Sequence, residues 1–589
     1  MRQKILVYTI VFALLTYIIG SCANTSTPPM GGPKDTIPPV LLEVIPNSGA
    51  TGVSLKGATI ELKFNEYIQR PKDPREISFS PPLEKNVVIK MRGKSLIISS
   101  EAPLDSLTTY TLSFGNSIVD NNEGNKLPPY TFIFSTGSHI DSMLCSGYVL
   151  DASTHMPQHN IKVALYKDHS DSVIYNSLPS AIAKTDSAGY FVIRNIPAKE
   201  YLAFALSDEN GNNKYDPDNE KIAFLDTLIF PAKVLRETMP ELRPYDKKDT
   251  TLESRRPADF TMYLFKEDPF VQYVKENKRT EQRRVSIVFG APQVQLLSAS
   301  FEGIDSTAVL KEFNLKRDSL SLWITDAVAT LPDTLKLSLT YYKSDSLRQL
   351  SPATEELKLV HRGQNDSTSL KPMSVLIKSD PVTIDTEGFT ITLPAPLSTI
   401  IRDSINIESS DVRKNITKIP FEIVKDTTSY LRYRIIPGTK LDTGSEYTLN
   451  IPDSAFVSIY GTYNLAASSK IDLPTNEKLS RIVMNISAGI EGSVFIDLMD
   501  GKRQKIHRTY YISGESDNKL EFPYLAAGDY IIRVSHDRNQ NGYIDTGNIR
   551  EKSQPEKVAI YTLANGKDII TLTEGKEIEQ SMDLKELFK

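Results

Sequence analysis

Short runs in which apolar and polar residues alternate recur along most of the chain. Examples are Thr59-Ile60-Glu61-Leu62-Lys63-Phe64 and Tyr130-Thr131-Phe132-Ile133-Phe134, between clusters of Asn, Asp, Gly and Pro. Period-two alternation puts every second side chain on one face, as in a strand buried on one side only. Many such strands at short spacing predict an all-β chain of tandem sandwiches. Helical periodicity is scarce. Its clearest candidate is Lys266 to Arg283, charged and with a thin apolar face, which reads as one helix or a loop. One segment breaks the alternation: Ile5 to Ile19 is a largely apolar run that follows Arg2 and Lys4. It is short against the roughly twenty residues a bilayer core requires. The basic start, short apolar core and small pair Gly20-Ser21 instead suit a secretory signal over 1–21, cut before Cys22.

Ile19-Gly20-Ser21-Cys22 resembles the bacterial lipobox. The resemblance implies a diacylglycerol on the Cys22 thiol and acylation, palmitate or similar, of the new amino terminus. Two or three such chains, at about 0.8 kcal/mol per buried methylene, hold a protein stably on a membrane. Residues 22–36 that follow are rich in Pro and Gly, which suit neither helix nor ladder, and read as a tether.

Composition narrows the class further. Hydrophobic residues make up 40% and charged residues 24%, enough to bury several cores and too few charges for disorder. The net charge of −5 is nearly balanced and no basic stripe suits a phosphate backbone, so nucleic acid is excluded as the expected partner. Besides Cys22 only Cys145 is present, so the mature chain has no intrachain disulfide. Cys145 lies in an alternating run, Met143 to Leu150, and reads as a buried structural thiol.

Two internal repeats organise the chain. Leu104-Asp105, Tyr110-Thr111-Leu112 and Ser117 reappear at one constant shift as Leu441-Asp442, Tyr447-Thr448-Leu449 and Ser454. Tyr201, Asp208, Asn210, Asn212 and Asp216 reappear at another as Tyr530, Asp537, Asn539, Asn541 and Asp545. Two sandwich types, each present twice, flank an unpaired segment around Trp323, and the charged stretch Tyr245 to Arg256 is the expected hinge.

Ile37-Pro38-Pro39-Val40, Ile45 to Ala50, Ile60 to Tyr67 and Tyr110-Thr111-Leu112 resemble bacterial Ig-like domains of the SbsA type. Ser146 to Val149, Asp186 to Phe191 and Ile196 to Tyr201 resemble a transthyretin-like, carboxypeptidase-regulatory-like sandwich. The whole chain, with Gly31-Gly32-Pro33-Lys34-Asp35-Thr36, resembles Ig-like lipoproteins of Bacteroidota. The expected organisation is an Ig-like domain over 37–137, a transthyretin-like sandwich over 143–240 and a middle β-domain over 257–365. A second Ig-like sandwich over 370–474, a second transthyretin-like sandwich over 478–575 and a tail over 576–589 complete it. Surface-exported lipoproteins of that lineage carry acidic residues after the cysteine. Ala23 to Thr27 has none, so the periplasmic face of the outer membrane is favoured over the cell surface.

The sharpest polar constellation is Asp537, Asn539, Asn541, Tyr543 and Asp545, with Gly542 at the sixth position. Oxygens at positions one, three, five and nine, with the Tyr543 carbonyl at seven, suit a calcium loop. The partner loop has Asp208, Asn210, Asn212 and Asp216, with Asn213 at the sixth position, where Asn tolerates left-handed backbone. Neither has Glu at position twelve; Asn219 and Asn548 stand there, with Glu220 and Glu551 nearby. The alternative is an Asx-rich turn closed by its own hydrogen bonds. Either way the loops stiffen structure.

Asp, then Ser or Thr, then an apolar residue or Thr recurs about fifteen times, against roughly three from composition. This resembles the O-glycosylation sequon of exported Bacteroidota proteins, which implies Ser106, Ser319 and Thr334 as acceptors. Asp-Ser turns before strands account for part of the excess. The seven histidines are scattered; Pro157 between His155 and His159 forbids a shared helical face for zinc. No nucleophile elbow, phosphate loop or His-Glu-x-x-His occurs. Tyr341-Tyr342, Tyr433, Tyr460 and Tyr463 are candidates for a sugar platform, against the commoner packing of tyrosines across a sheet. The expectation is a non-enzymatic, lipid-anchored scaffold or adhesion module with a protein or glycan partner in the envelope. The alternatives are an accessory subunit of an outer-membrane assembly or transport complex, and a glycan-binding or glycan-processing lipoprotein.

Overall fold

The computed structural model describes residues 35–589 apart from 57, 72–76, 86, 129, 234–256, 328–329 and 362–370. The signal, Cys22, the tether as far as Lys34 and the expected hinge lie outside the described residues. The chain divides into two compact units, one built on 1–143 with 194–197 and 233–254, the other on 144–193, 198–232 and 255–589.

The smaller unit holds one sandwich. Leu41–Ile45, Thr59–Phe64, Ser95–Ser100 and Val87–Arg92 form one sheet in that spatial order, and Ser78–Ser80, Thr109–Ser113 and Thr131–Ser135 form the other. Alternation decides what is buried: Ile60, Leu62 and Phe64 enter the core beside Leu96, Leu112 and Phe132, while Lys63 between them is exposed.

Among the described residues the larger unit holds four sandwiches. The first of these sets Ala181–Lys184, Lys162–Tyr166, Leu202–Leu206 and Ile222–Phe224 against Tyr190–Ile196, Met143–Asp151 and Ala232–Lys233. Cys145 is buried in Met143–Asp151 and in no disulfide, as read from its flanks. The next sets Val274–Glu281, Arg284–Phe289, Ser319–Ile324 and Val309–Phe313 against Leu296–Phe301, Thr334–Ser344 and Leu350–Val360, with Trp323 fully buried. A third follows around Phe389, Ile407, Ile435 and Leu449, and a fourth around Ile482, Ile496, Phe522 and Ile532.

Three expectations are corrected. Lys266 to Arg283 contains no helix: Val274–Glu281 is an edge strand antiparallel to Arg284–Phe289. An edge tolerates charges pointing to solvent. Its one buried cation, Arg279, donates to the carbonyls of Gln282, Pro332 and Asp333. The middle domain does not start at 257, because Phe260–Leu264 runs parallel to Met143–Asp151 in the preceding sandwich. Residues 576–589 are no tail: Glu577–Asp583 runs parallel to Ser480–Ser487, and the helix Leu584–Leu587 buries Leu584 in the same core. Both sandwiches that carry an Asp/Asn loop thus close with a parallel strand laid beside their first.

The sequence repeats also acquire a cause. The Tyr110 hydroxyl accepts the Asp105 N–H at 2.8 Å, and the Tyr447 hydroxyl accepts the Asp442 N–H at 2.7 Å. These are tyrosine corners, which pin the turn before a strand in Ig-type sandwiches.

Candidate functional site

Each Asp/Asn loop leaves the end of a core strand, Leu202–Leu206 or Gly528–Asp537, and its first carboxylate is fully buried. In the first loop Asp208 Oδ1 accepts the N–H groups of Gly211 and Asn212, and Oδ2 that of Asn213 at 2.8 Å. In the second, Asp537 Oδ1 accepts from Asn541 and Oδ2 from Gly542 at 2.8 Å. The backbones agree. Positions four and six are left-handed in both, as Gly211 (φ 77°) and Asn213 (φ 58°), and as Gln540 (φ 58°) and Gly542 (φ 84°). The glycine has simply changed places with a polar residue.

The remaining oxygens meet donors within the loops. Asn210 and Asn212 turn their amide N–H groups to Asp216 Oδ2, as Asn539 and Asn541 do to Asp545 Oδ2 at 2.6 and 2.9 Å. A glutamate ties the two ends of each loop. Glu220 accepts the N–H groups of Glu209 and Asp216 at 3.1 and 3.0 Å, and Glu556 those of Arg538 and Asp545 at 2.8 and 3.0 Å. Burial, helped by the adjacent aspartates, holds both glutamates above the ordinary carboxylate range despite these bonds. The sequence reading missed Glu556. Glu551, which it singled out, is exposed and outside the loop, and Asn548 caps the next turn by accepting the Arg550 and Glu551 N–H groups.

The loops differ in charge. The Lys162 ammonium is paired with Asp208 Oδ2 and reaches Asn213 Oδ1 at 2.7 Å, so the first loop contains its own cation. The corresponding oxygen of Asp537 receives the neutral hydroxyl of Tyr511 at 2.8 Å. Asp537, Asp545 and Glu556 are thus bonded to N–H and O–H groups, with no ammonium paired to any of them among the described residues. Calcium suits that donor set better than the first, with Asn539, Asn541 and the Tyr543 carbonyl as further oxygens. Among the described residues no three His, Cys, Asp or Glu side chains converge as a metal-holding group.

Both loops are also structural joints. Glu267 accepts the Tyr215 hydroxyl at 2.7 Å and the Ile549 N–H at 2.8 Å, linking the sandwiches that carry them. Burial and this bond push the Tyr215 hydroxyl far above its ordinary range. Thr546 donates to the Lys266 carbonyl, and Gln554 to the Phe224 carbonyl.

The other candidates disperse. His155 stacks on Tyr263 at 4.9 Å, with burial and Arg503 lowering its pKa, while His159 is exposed. Tyr341 and Tyr433 are buried, Tyr463 is exposed, and Tyr342 and Tyr460 are half-buried, so the five form no common platform. Ser106 and Thr334 are exposed at loop and strand start; Ser319 is half-buried and donates to Asp318.

Residues 35–136 match the family model of the bacterial Ig-like domain. No curated protein matches the chain. Among solved structures, the S-layer protein rSbsC(31-844) is 10% identical with a TM-score of 0.13, over 91% of this chain and 59% of that one. The E. coli alpha-2-macroglobulin is 10% identical with a TM-score of 0.13, over 85% and 42%. BcpA, the major pilin subunit of Bacillus cereus, is 8% identical with a TM-score of 0.13, over 75% and 99%. This chain thus spans less than two thirds of the S-layer protein, and likenesses at these scores have no bearing on function. Fold and family match define a multi-domain β-sandwich protein that contains a bacterial Ig-like domain.

Proposed function

We propose that this is a non-enzymatic, lipid-anchored protein of the cell envelope, in which Ig-like and transthyretin-like sandwiches present rigid binding surfaces to a protein or glycan partner. The observation that carries this reading is the use of the polar constellations: the buried carboxylates of both loops and Glu267 are spent on backbone N–H groups and on joints between sandwiches. Nothing in them offers a substrate a free reactive group. Anchorage rests on Cys22 and its flanks, and the outer membrane, periplasmic side, on the lack of acids after it. Metabolic labelling with palmitate tests it: the wild type takes up label and pellets with membranes, whereas Cys22→Ser does neither. Co-purification of a barrel in equal amount after detergent extraction would instead favour a subunit of an assembly or transport complex.

Calcium belongs to the second loop in this proposal, as a structural ion. Calorimetry should detect heat with the wild type and none with Asp537→Ala; two identical flat traces end the idea. Ser106 and Thr334 are the better placed glycan acceptors, and a mature mass equal to the lipidated polypeptide would rule them out.

A further inference from the structure

We propose that a cleft in the larger unit binds a short neutral oligosaccharide. The cleft has a volume of about 460 Å³, inside the roughly 300–1,000 Å³ of small-ligand sites. One wall comes from the Trp323 sandwich and the segment leading into it, with Phe270, Gln295 and Tyr342. The other comes from the second Asp/Asn loop and its continuation, with Tyr543, Asn548 and Glu551.

Its chemistry is that of a polyhydroxylated ligand. Leu350 is the only branched aliphatic side chain in the lining. Cofactor pockets are predominantly apolar, and peptide grooves need apolar pockets for anchor residues. No lysine or arginine belongs to the lining, and two of its three acids are committed, Asp268 to Lys316 at 3.1 Å and Asp545 to the loop amides. The cations beside the lining are engaged, Lys316 with Asp268 and Arg348 and Arg550 on the Phe270 ring, so a polyanion has few uncommitted charges to pair with. By contrast the Gln295 amide, the Tyr342 hydroxyl and the Glu551 carboxylate have no hydrogen-bond partner among the described residues, although all three line the cleft. Planar amides and carboxylates take paired hydroxyls, and the negative face of an aromatic ring accepts the polarised C–H face of a sugar.

The walls are held in place. Gln293 donates to the Tyr543 hydroxyl at 2.7 Å. Arg348 and Arg550 stack on Phe270, 4.9 and 3.8 Å from its centroid. Of the five tyrosines the sequence offered for sugar binding, Tyr342 alone lines this cleft, and Tyr543, offered for calcium, contributes its ring. The inference goes beyond the envelope role and does not depend on the lipid anchor.

The test uses the full mature chain with maltotriose, cellotriose, chitotriose and mannotriose as probes, and with trigalacturonate and a tripeptide as controls. Saturation-transfer NMR and calorimetry read the binding. One or more neutral trisaccharides should saturate a single site per chain. Tyr342→Ala and Glu551→Gln should each weaken binding by about tenfold or more, with the thermal transition unchanged, and Tyr463→Ala should leave binding intact. The proposal is overturned if no neutral trisaccharide binds at about 10 mM. Binding confined to trigalacturonate or the peptide overturns it too, as does binding that survives both cleft variants.

Discussion

Asp120 is 1% exposed, and burial by itself raises its carboxyl. The N–H groups of Asn122, Glu123 and Gly124 on one oxygen, and of Asn125 on the other, outweigh burial and hold it below the ordinary carboxylate range. Its contribution to stability is therefore present above the unfolded pKa of about 3.9. It is lost as pH falls through the lower folded value. Glu220 and Glu556 behave oppositely. Their raised pKa means a contribution complete below the unfolded value of about 4.3 and lost as pH rises through the folded one. Hydrogen exchange, corrected for intrinsic rates, should show protection over 122–125 falling below about pH 4, with Asp120→Asn abolishing that acid limb. Protection at Arg538 and Asp545 in calcium-free buffer should instead rise as the pH is lowered from neutral toward the ordinary glutamate value of about 4.3. The loop carboxylates and amides were legible because fixed spacing makes a short loop. Glu556 was not, since the closing glutamate lies four residues past Asp216 in one loop and eleven past Asp545 in the other.

At the scale of elements, alternation located strands wherever one face is apolar, and failed where a strand pairs at an edge. Glu577–Asp583 reads EIEQSMD, a polar stretch whose only buried residue is Met582. Parallel pairing with a strand almost a hundred residues away leaves no local turn to announce it. Yet Leu584 just beyond is fully buried, and Leu584→Ala should cost about 2–5 kcal/mol. Leu587→Ala, half-buried, should cost less; urea unfolding and proteolysis of the carboxyl end compare the two. The tyrosine corners, by contrast, were visible as a repeat, because each needs Leu-Asp and Tyr at one separation. Tyr447→Phe leaves the Asp442 N–H without its acceptor, at about 1–3 kcal/mol. Amide exchange at Asp442 should quicken by about tenfold for each 1.4 kcal/mol, and Tyr110→Phe should do the same at Asp105.

Sandwiches in tandem suggest a string, and short polar contacts between neighbours leave such strings free to bend. In the larger unit the contacts instead join sandwiches far apart in sequence. Arg503 donates to the Thr154 carbonyl at 2.7 Å, and Arg533 to that of Ser153 at 3.2 Å. Arg533 is itself held by the buried Asp497, so its guanidinium is oriented before docking. Glu267 closes the other side through Tyr215 and Ile549, and Gly547 lies so close to Phe265 that a Cβ would come within 2.5 Å of the ring. No local pattern encodes such closure, since each residue is an ordinary polar or small one until its partner arrives. Hydrogen bonds to a charged acceptor are worth about 1.5–3 kcal/mol each, so removing Glu267 takes away much of one side of the joint. Glu267→Ala with Arg503→Ala should therefore raise the radius of gyration in small-angle scattering and separate one unfolding transition into two. Gly547→Ala should act in the same direction by wedging against Phe265. If scattering curves of all three proteins superimpose, these contacts are incidental and the sandwiches are held together by their apolar surfaces alone.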